Sequence, residues 1–307
     1  MVANPQISVL VPTLNRHERL TNTLTDLLSQ RDVDMEIIVC DQTAEHPPDT
    51  RQFLSSHSDR IQVHTAAPEG LVPAYRRCVQ LAKAEICLFV DDDVQIRDRR
   101  FVAGHLARYS DSGVFAISGQ ILHDNQVALH APPPKLGSRH GWRYVRFDMD
   151  RCVENMPSLA AGNMSFRRTL YDAVGGFDTS YRANGFRFET DFSFAIKKHG
   201  GDIRFDNRLS LTHLYGSAGG AGNRYLGSLS PEAEPWYVEF FANTWYFLLK
   251  WYPIPEAIYL MALIWREHAF NRSILRKPGL LAGRHRSLSR GLRAGYARWA
   301  AYKRRES

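Results

Sequence analysis

Four short apolar runs at residues 7–11, 36–40, 61–63 and 85–90, separated by segments with helical spacing, constrain the fold of this 307-residue chain most. Runs of that length, rich in Val and Ile, suit strands buried on both faces. Strand–helix–strand order in turn predicts an α/β fold with a mostly parallel central sheet flanked by helices. After the first strand, Asn15 with Glu18 three residues on reads as a capping box, and Leu20, Leu24, Leu27 and Leu28 recur on one helical face. Further helices are predicted at 71–84, 101–110, 170–174 and 189–199, the last two ended by Gly175–Gly176 and Gly200–Gly201, with strands at 114–122 and 203–213. The polar, proline-bearing stretch from Asp41 to Asp49 reads as a loop. Residues 123–158, with Pro132, Pro133 and Pro134, show no period, and a loop that long is expected to be functional, such as a lid that orders when ligand binds.

The fourth run ends in Phe-Val-Asp-Asp-Asp-Val, residues 89–94, which places three carboxylates at the carboxyl end of a strand. Ligands of open α/β sheets gather outside those ends. Three adjacent carboxylates repel one another unless a cation or several N–H donors offset them. A hard, oxygen-seeking ion such as Mg2+ or Mn2+ does so and also recruits a diphosphate; the alternative is a solvated acidic turn. Asp41 after the second strand, and Glu189 with Asp191 at a helix start, put further acids on the same side of such a sheet. No GxGxxG follows the first strand and no GxxxxGK[ST] occurs, which argues against dehydrogenase and P-loop chemistry.

Cys40, Cys78, Cys87 and Cys152 lie far apart with no CxxC pair, so neither a zinc site nor a disulfide framework is expected, and a reducing cytosol fits. No signal-type run precedes the first strand, so the protein is expected to stay where it is made. The net charge of +7 is uneven: residues 266–307 carry twelve Lys or Arg against two acids, net +10, leaving −3 for the rest. Residues 236–252 hold nine aromatics among seventeen, followed by a second apolar segment at 257–265. Neither is long enough to span a bilayer. Two readings stay open for them, helices lying in a membrane interface or a buried helical hairpin.

The ordered set Ile-Ser-Val-Leu-Val-Pro-Thr-Leu-Asn-Arg (7–16), Glu-Ile-Ile-Val-Cys-Asp (36–41), Phe-Val-Asp-Asp-Asp-Val, Gly-Asn-Met-Ser-Phe-Arg-Arg (162–168), Gly-Gly-Phe-Asp (175–178) and Glu-Thr-Asp-Phe (189–192) resembles bacterial family 2 glycosyltransferases of the GT-A fold, over roughly residues 5–215. The resemblance implies a GT-A domain at 1–230 and a helical, aromatic then basic extension at 231–307. It implies an inverting, metal-dependent transferase of cell-envelope polysaccharide synthesis, with a nucleotide-diphosphate sugar donor and a saccharide or lipid-linked acceptor. Asp91 and Asp93 match its DxD motif for Mg2+ or Mn2+, Asp92 lies between them at the diphosphate, and His213 matches a histidine that completes the metal shell. Pro12, Thr13 and Asn15 match the first nucleotide-binding loop and Asp41 the acid that contacts the nucleoside. Glu189 stands where the general base usually is, and Asp191 matches the second acid. Gly162 and Asn163 match the acceptor-side loop. Where many members carry Ala-Arg-Asn this chain has Ala74-Tyr75-Arg76, so Arg76, or Arg77, is left to grip ribose or diphosphate.

Two other readings stand beside it: a nucleotidyltransferase, which would want a Gly-rich, Lys-bearing first loop that residues 12–19 lack, and a noncatalytic binder of anionic membrane or nucleic acid. Tyr296, Trp299 and Tyr302, interleaved with Arg298, Lys303, Arg304 and Arg305, would serve the latter. Nucleic acid is the less expected partner. The expected location is the cytoplasm or, through the extension, the inner face of the plasma membrane.

Overall fold

The computed structural model describes residues 4–123, 126–130, 135–214 and 228–306; Pro132, Pro133 and Pro134 lie outside them. The chain divides into two compact units. One holds Met1–Glu69, Pro73–Phe177 and Glu189–Gly220, and the other Gly70–Val72, Asp178–Phe188 and Ala221–Ser307.

The larger unit runs β1 (Ile7–Thr13), α1 (Glu18–Leu28), β2 (Met35–Asp41), α2 (Pro48–Ser56), β3 (Ile61–Thr65), α3 (Leu71–Leu81), β4 (Ile86–Val90), β5 (Val94–Gln95), α4 (Phe101–Ala107), β6 (Val114–His123), β7 (Asn163–Arg167), α5 (Arg168–Ala173), α6 (Phe188–Lys198) and β8 (Asp202–His213). Among the described residues these strands form one sheet in the order β3-β2-β1-β4-β7-β6-β8-β5. The β3-β2-β1-β4 half is parallel, as the alternation predicts, and β6 and β8 also run parallel. β7 is antiparallel to both β4 and β6, and β5 to β8, so the second half is mixed. β7 follows an irregular segment rather than a helical crossover, and only the crossover forces strands parallel. Every residue of β1 and of β4 is buried. The sheet is therefore covered on both faces, which explains why its strands read as unbroken apolar runs.

Three local expectations change. The capping box is absent: Asn15 has φ 54°, the α1 cap is His17 without a side-chain bond, and the Asn15 N–H instead donates to Thr43 Oγ1 at 2.8 Å. The stretch ending at Asp49 runs into α2, because Pro48 occupies the first helical turn, where its missing N–H costs nothing. The aperiodic stretch is anchored at its described residues: Leu129 bridges Met149, Val153 bridges Phe205, and Trp142, Met149 and Met156 are buried.

α1 fixes the turn after β4. Thr23 Oγ1 donates to the Val94 carbonyl and accepts from its N–H, Asp26 accepts from the Ile96 N–H, and Gln30 bonds the Asp98 carbonyl and the Val102 N–H. Leu20, Leu24 and Leu27 meanwhile hold the helix on the core.

The second unit contains α7 (Glu234–Trp251), α8 (Ile254–Ala269), α9 (Arg272–Leu275) and α10 (Pro278–Glu306). Tyr237, Phe240, Phe241, Tyr246 and Phe247 of α7 are buried, so this aromatic helix is the core of a helical unit, the second of the two open readings. Ile254, Ile258 and Tyr259 of α8 are more than half exposed. None of the described helices is long and apolar enough to cross a membrane. α10 packs on α7 through Gly283, Ser287, Gly291 and Gly295, small residues at a four-residue spacing. A Cβ at Gly291 would lie 2.6 Å from Phe241 Cβ and 2.9 Å from the Val238 carbonyl oxygen. Alanine there gains about 1 kcal/mol of helix propensity, yet overpacking costs about 1–3 kcal/mol. Gly291→Ala is therefore expected to lower Tm, whereas Gly279→Ala, which meets nothing within 4 Å, is not; thermal denaturation checks both.

Candidate active site

The three aspartates sit in the turn between β4 and β5, and their side chains divide the work. Asp91 and Asp93 converge with His213: His213 Nε2 lies 3.2 Å from Asp93 Oδ1 and 3.8 Å from Asp91 Oδ2. One ligand atom from each of the three falls within 4.8 Å of the others. The sheet register makes this inevitable. His213 ends β8 directly across from Val94 of β5, and the Leu214 N–H donates to the Asp93 carbonyl at 2.9 Å. The structure thus brings His213 together with Asp91 and Asp93, the grouping that the family resemblance implies.

Asp92 turns the other way. It is buried, accepts from the Thr13 hydroxyl at 2.5 Å, and its carboxyl is pushed up to about 7, chiefly by burial and then by Asp93. Thr13 and Asp92 thus tie the end of β1 to the acid turn, and with Pro12 buried beside them these three shape the site from behind. Burial and the neighbouring Asp93 also raise Asp91 above the usual carboxylate range. Arg16, which the sequence reading did not single out, offsets the cluster: its Nη1 is 2.9 Å from Asp93 Oδ2 and its Nε 3.9 Å from Asp92. The two oxygens of Asp93 are so divided between Arg16 and His213.

Tyr75, the residue standing in place of Arg in the Ala-Arg-Asn pattern, is buried, stacks on Phe89 with ring centroids 4.4 Å apart, and donates to Asp91 Oδ1 at 3.3 Å. Its hydroxyl is held well above its ordinary pKa, first by burial and then by the charges of Asp91 and Glu189. Glu189 therefore lies within electrostatic reach of the same hydroxyl that Asp91 accepts from. It is half-buried in the first turn of α6, whereas Asp191 is 3% exposed.

Other expected residues fall elsewhere. Arg76 acts on Tyr171, and no ion pair joins it to the acids among the described residues; Arg77 pairs with Glu69 at 2.9 Å in a small recess that Cys40, Gln42 and Ala74 also line. Asp41 is 1% exposed and accepts from the Thr43 N–H at 2.8 Å, with His46 Nε2 at 2.5 Å. Asn15 is exposed on the loop above Thr43.

Asn163 is a correction. It belongs to a strand rather than an acceptor-side loop, is fully buried, and donates to the Gln120 and Leu209 carbonyls at 3.0 and 2.9 Å. Its Oδ1 meets His105 Nε2 at 3.0 Å, and burial pushes that imidazole down to about 3, so it stays neutral. Asn163 thus locks β6, β7 and β8 together, as polar groups buried in a sheet must be satisfied. Gly162 instead serves Asp91. Its carbonyl accepts the Asp91 N–H at 3.3 Å, and a Cβ there would come within 2.2 Å of Asp91 Oδ2. Gly162→Ala is expected to fold normally but to weaken divalent metal binding by roughly 10–100-fold, the range seen when a ligand's support is lost; calorimetric titration with Mn2+ checks it.

The sequence profile described as "Glycosyl transferase family 2" matches residues 8–175. The chain belongs to glycosyl transferase family 2. PGL/p-HBAD biosynthesis glycosyltransferases of Mycobacterium bovis and Mycobacterium tuberculosis are 26% identical to it over 183 residues, 59% of this chain. The chain spans 66% of the length of those curated relatives. Among solved structures, mannosyltransferase PcManGT from Pyrobaculum calidifontis, in complex with GDP-Man and Mn2+, superposes with a TM-score of 0.56 at 18% identity, over 99% of this chain and 80% of that one. TarS of S. aureus gives 0.54 at 14% identity, over 92% and 71%. At such identities the likeness is one of fold, and the fold of this family 2 glycosyltransferase is GT-A. Membership of this family counts against the readings of a nucleotidyltransferase and of a noncatalytic binder.

Proposed function

We propose that the chain is a metal-dependent, inverting glycosyltransferase that moves a sugar from a nucleotide-diphosphate donor to an acceptor hydroxyl on a saccharide or lipid carrier. The observation that carries this reading is the convergence of Asp91, Asp93 and His213 within 4.8 Å, with Glu189 in electrostatic reach of the Tyr75 hydroxyl that donates to Asp91. Two carboxylates and an imidazole are a donor set suited to a divalent ion, and the mixed oxygen and nitrogen ligands favour Mn2+ over Mg2+. The bound ion would supply Lewis-acid stabilisation of charge on the diphosphate. That PcManGT holds GDP-Man and Mn2+, and that GalNAc-T7, at a TM-score of 0.54, holds UDP, GalNAc and Mn2+, supports the same donor chemistry here.

The protein's own groups then have separate tasks. Arg16 holds one oxygen of Asp93 in place, and Tyr75 holds one oxygen of Asp91, leaving the other toward His213. Glu189 takes the proton of the acceptor hydroxyl as its oxygen bonds to the anomeric carbon; the bond from that carbon to the diphosphate breaks and the diphosphate leaves with the electron pair. Attack opposite the leaving group inverts the anomeric centre. Asp191, buried two residues further on, serves as the acid of the helix N-terminus. The exposed Ile254, Ile258 and Tyr259 of α8 support peripheral contact with a membrane surface, where a lipid-linked acceptor would be met. Release of nucleoside diphosphate from a panel of nucleotide sugars, with Mn2+ and with chelator, tests the reading: metal-dependent release from one donor is expected, and none from any donor by well-folded protein contradicts it.

A further inference from the structure

The helical unit holds a cavity of about 400 Å³ that belongs to no step above. Four guanidinium groups line it, from Arg182, Arg298, Arg304 and Arg305, together with the hydroxyls of Thr179 and Ser180, and no carboxylate does. Arg298, Arg304 and Arg305 come from the last turns of α10, and the others from the turn that follows Asp178.

That turn is built to a fixed shape. Asp178 accepts from Tyr246 Oη at 2.5 Å, from Lys250 Nζ at 2.9 Å and from the Ser180 N–H at 2.9 Å. Burial alone would raise its carboxyl, but the Lys250 charge and the Tyr246 bond outweigh it and hold it at about 2. Its charge is therefore committed to Lys250. Asn243 clamps Arg182 by its backbone, accepting from the N–H at 3.2 Å and donating to the carbonyl at 3.1 Å. Arg298 forms a fixed wall, donating to Asn243 at 2.6 Å and Glu239 at 2.7 Å, and Arg305 reaches Ser180 Oγ at 3.2 Å.

A bland role exists, because cations favour a helix C-terminus. The helix end carries only about half a negative charge, however, and Glu239 adds one more. Glu239 is taken by Arg298, and neither Arg182 nor Arg305 has a carboxylate partner among the described residues. Guanidinium forks and hydroxyl donors around a space of this size match the tetrahedral, doubly charged oxygens of a phosphate.

We propose that this cavity seats the phosphate or diphosphate group of an ester ligand, independently of the catalytic reading. The cavity and the exposed start of α8 lie at the same end of the helical unit: Lys250, near the end of α7, sits 4.9 Å from the Tyr302 ring of α10, and α8 begins three residues after α7 ends. A phosphate carried on a lipid would place its chain by Ile254 and Ile258, and a soluble phosphate ester would use the cavity alone.

The test compares Arg182→Gln/Arg305→Gln with Arg290→Gln/Arg293→Gln, a pair with the same loss of charge outside the cavity. All four residues are exposed, so folding is expected to hold, and circular dichroism checks it. Inorganic pyrophosphate, followed by calorimetry, probes the soluble source; flotation with phosphatidylcholine vesicles carrying phosphatidic acid probes the lipid source. The cavity pair is expected to lose about tenfold or more in one of these, while the control pair stays within about twofold, as losing a charge-assisted hydrogen bond requires. Loss confined to pyrophosphate assigns a soluble ester, and loss confined to the vesicles assigns a lipid phosphate. Equal losses in both pairs, or no loss in either probe, overturn the proposal, because the overall charge of the tail would then suffice.

Discussion

Asp91→Asn is expected to lower kcat by roughly 10²–10³-fold, the loss typical of removing one group that stabilises developing charge, and to weaken Mn2+ binding with it. The substitution keeps the size of the side chain and its contact with the Tyr75 hydroxyl, so it removes charge with little change of shape. Asp92→Asn should cost far less in turnover, since Asp92 faces Thr13 and stands outside the Asp91, Asp93 and His213 group. Calorimetric titration with Mn2+ alongside turnover separates the two aspartates. Equal losses at both would mean that the triplet acts as one acidic patch rather than as two ligands and a structural tie.

Glu189→Gln is expected to lower kcat by roughly 10²–10⁴-fold, the usual contribution of a positioned base. Mn2+ affinity and donor KM should stay near their original values, because the proposed role of Glu189 is toward the acceptor and it stands outside the Asp91, Asp93 and His213 group. The acid limb of the pH profile, set by protonation of the base, should vanish with it. Asp191→Asn should instead act through stability, since a residue 3% exposed at a helix start has little reach to an acceptor hydroxyl. Loss of activity in Asp191→Asn with full activity in Glu189→Gln would exchange the two roles.

The parallel half of the sheet was legible because strands buried on both faces leave continuous apolar runs. The strand Asn163–Arg167 was not, since its alternation of Met164 and Phe166 with Asn163 and Ser165 is short and its polar residues are buried in hydrogen bonds. The family match sets Asn163 in the acceptor-side loop, and only the pairing with the strands on either side places it in the sheet. The grouping of Asp91, Asp93 and His213 follows from the family resemblance, whereas the placement of Arg16 and Tyr75 against it does not, because that depends on which way a side chain turns. Neither Arg76 nor Arg77 pairs with the acid cluster, since one acts on Tyr171 and the other pairs with Glu69. The small residues Gly283, Ser287, Gly291 and Gly295, four apart in α10, are visible in the sequence and mark the face that packs on α7.

The most direct measurement is a thermal-shift titration of the full chain with nucleoside diphosphates, each with and without Mn2+. A ligand bound only by the folded state raises its stability by mass action, by about 2.7 kcal/mol at a hundredfold excess over Kd. One nucleoside diphosphate should raise Tm in the presence of Mn2+, and the shift should disappear with chelator and in Asp91→Asn. Stabilisation that is the same with chelator, or that survives Asp91→Asn unchanged, would contradict a metal-held diphosphate at this turn.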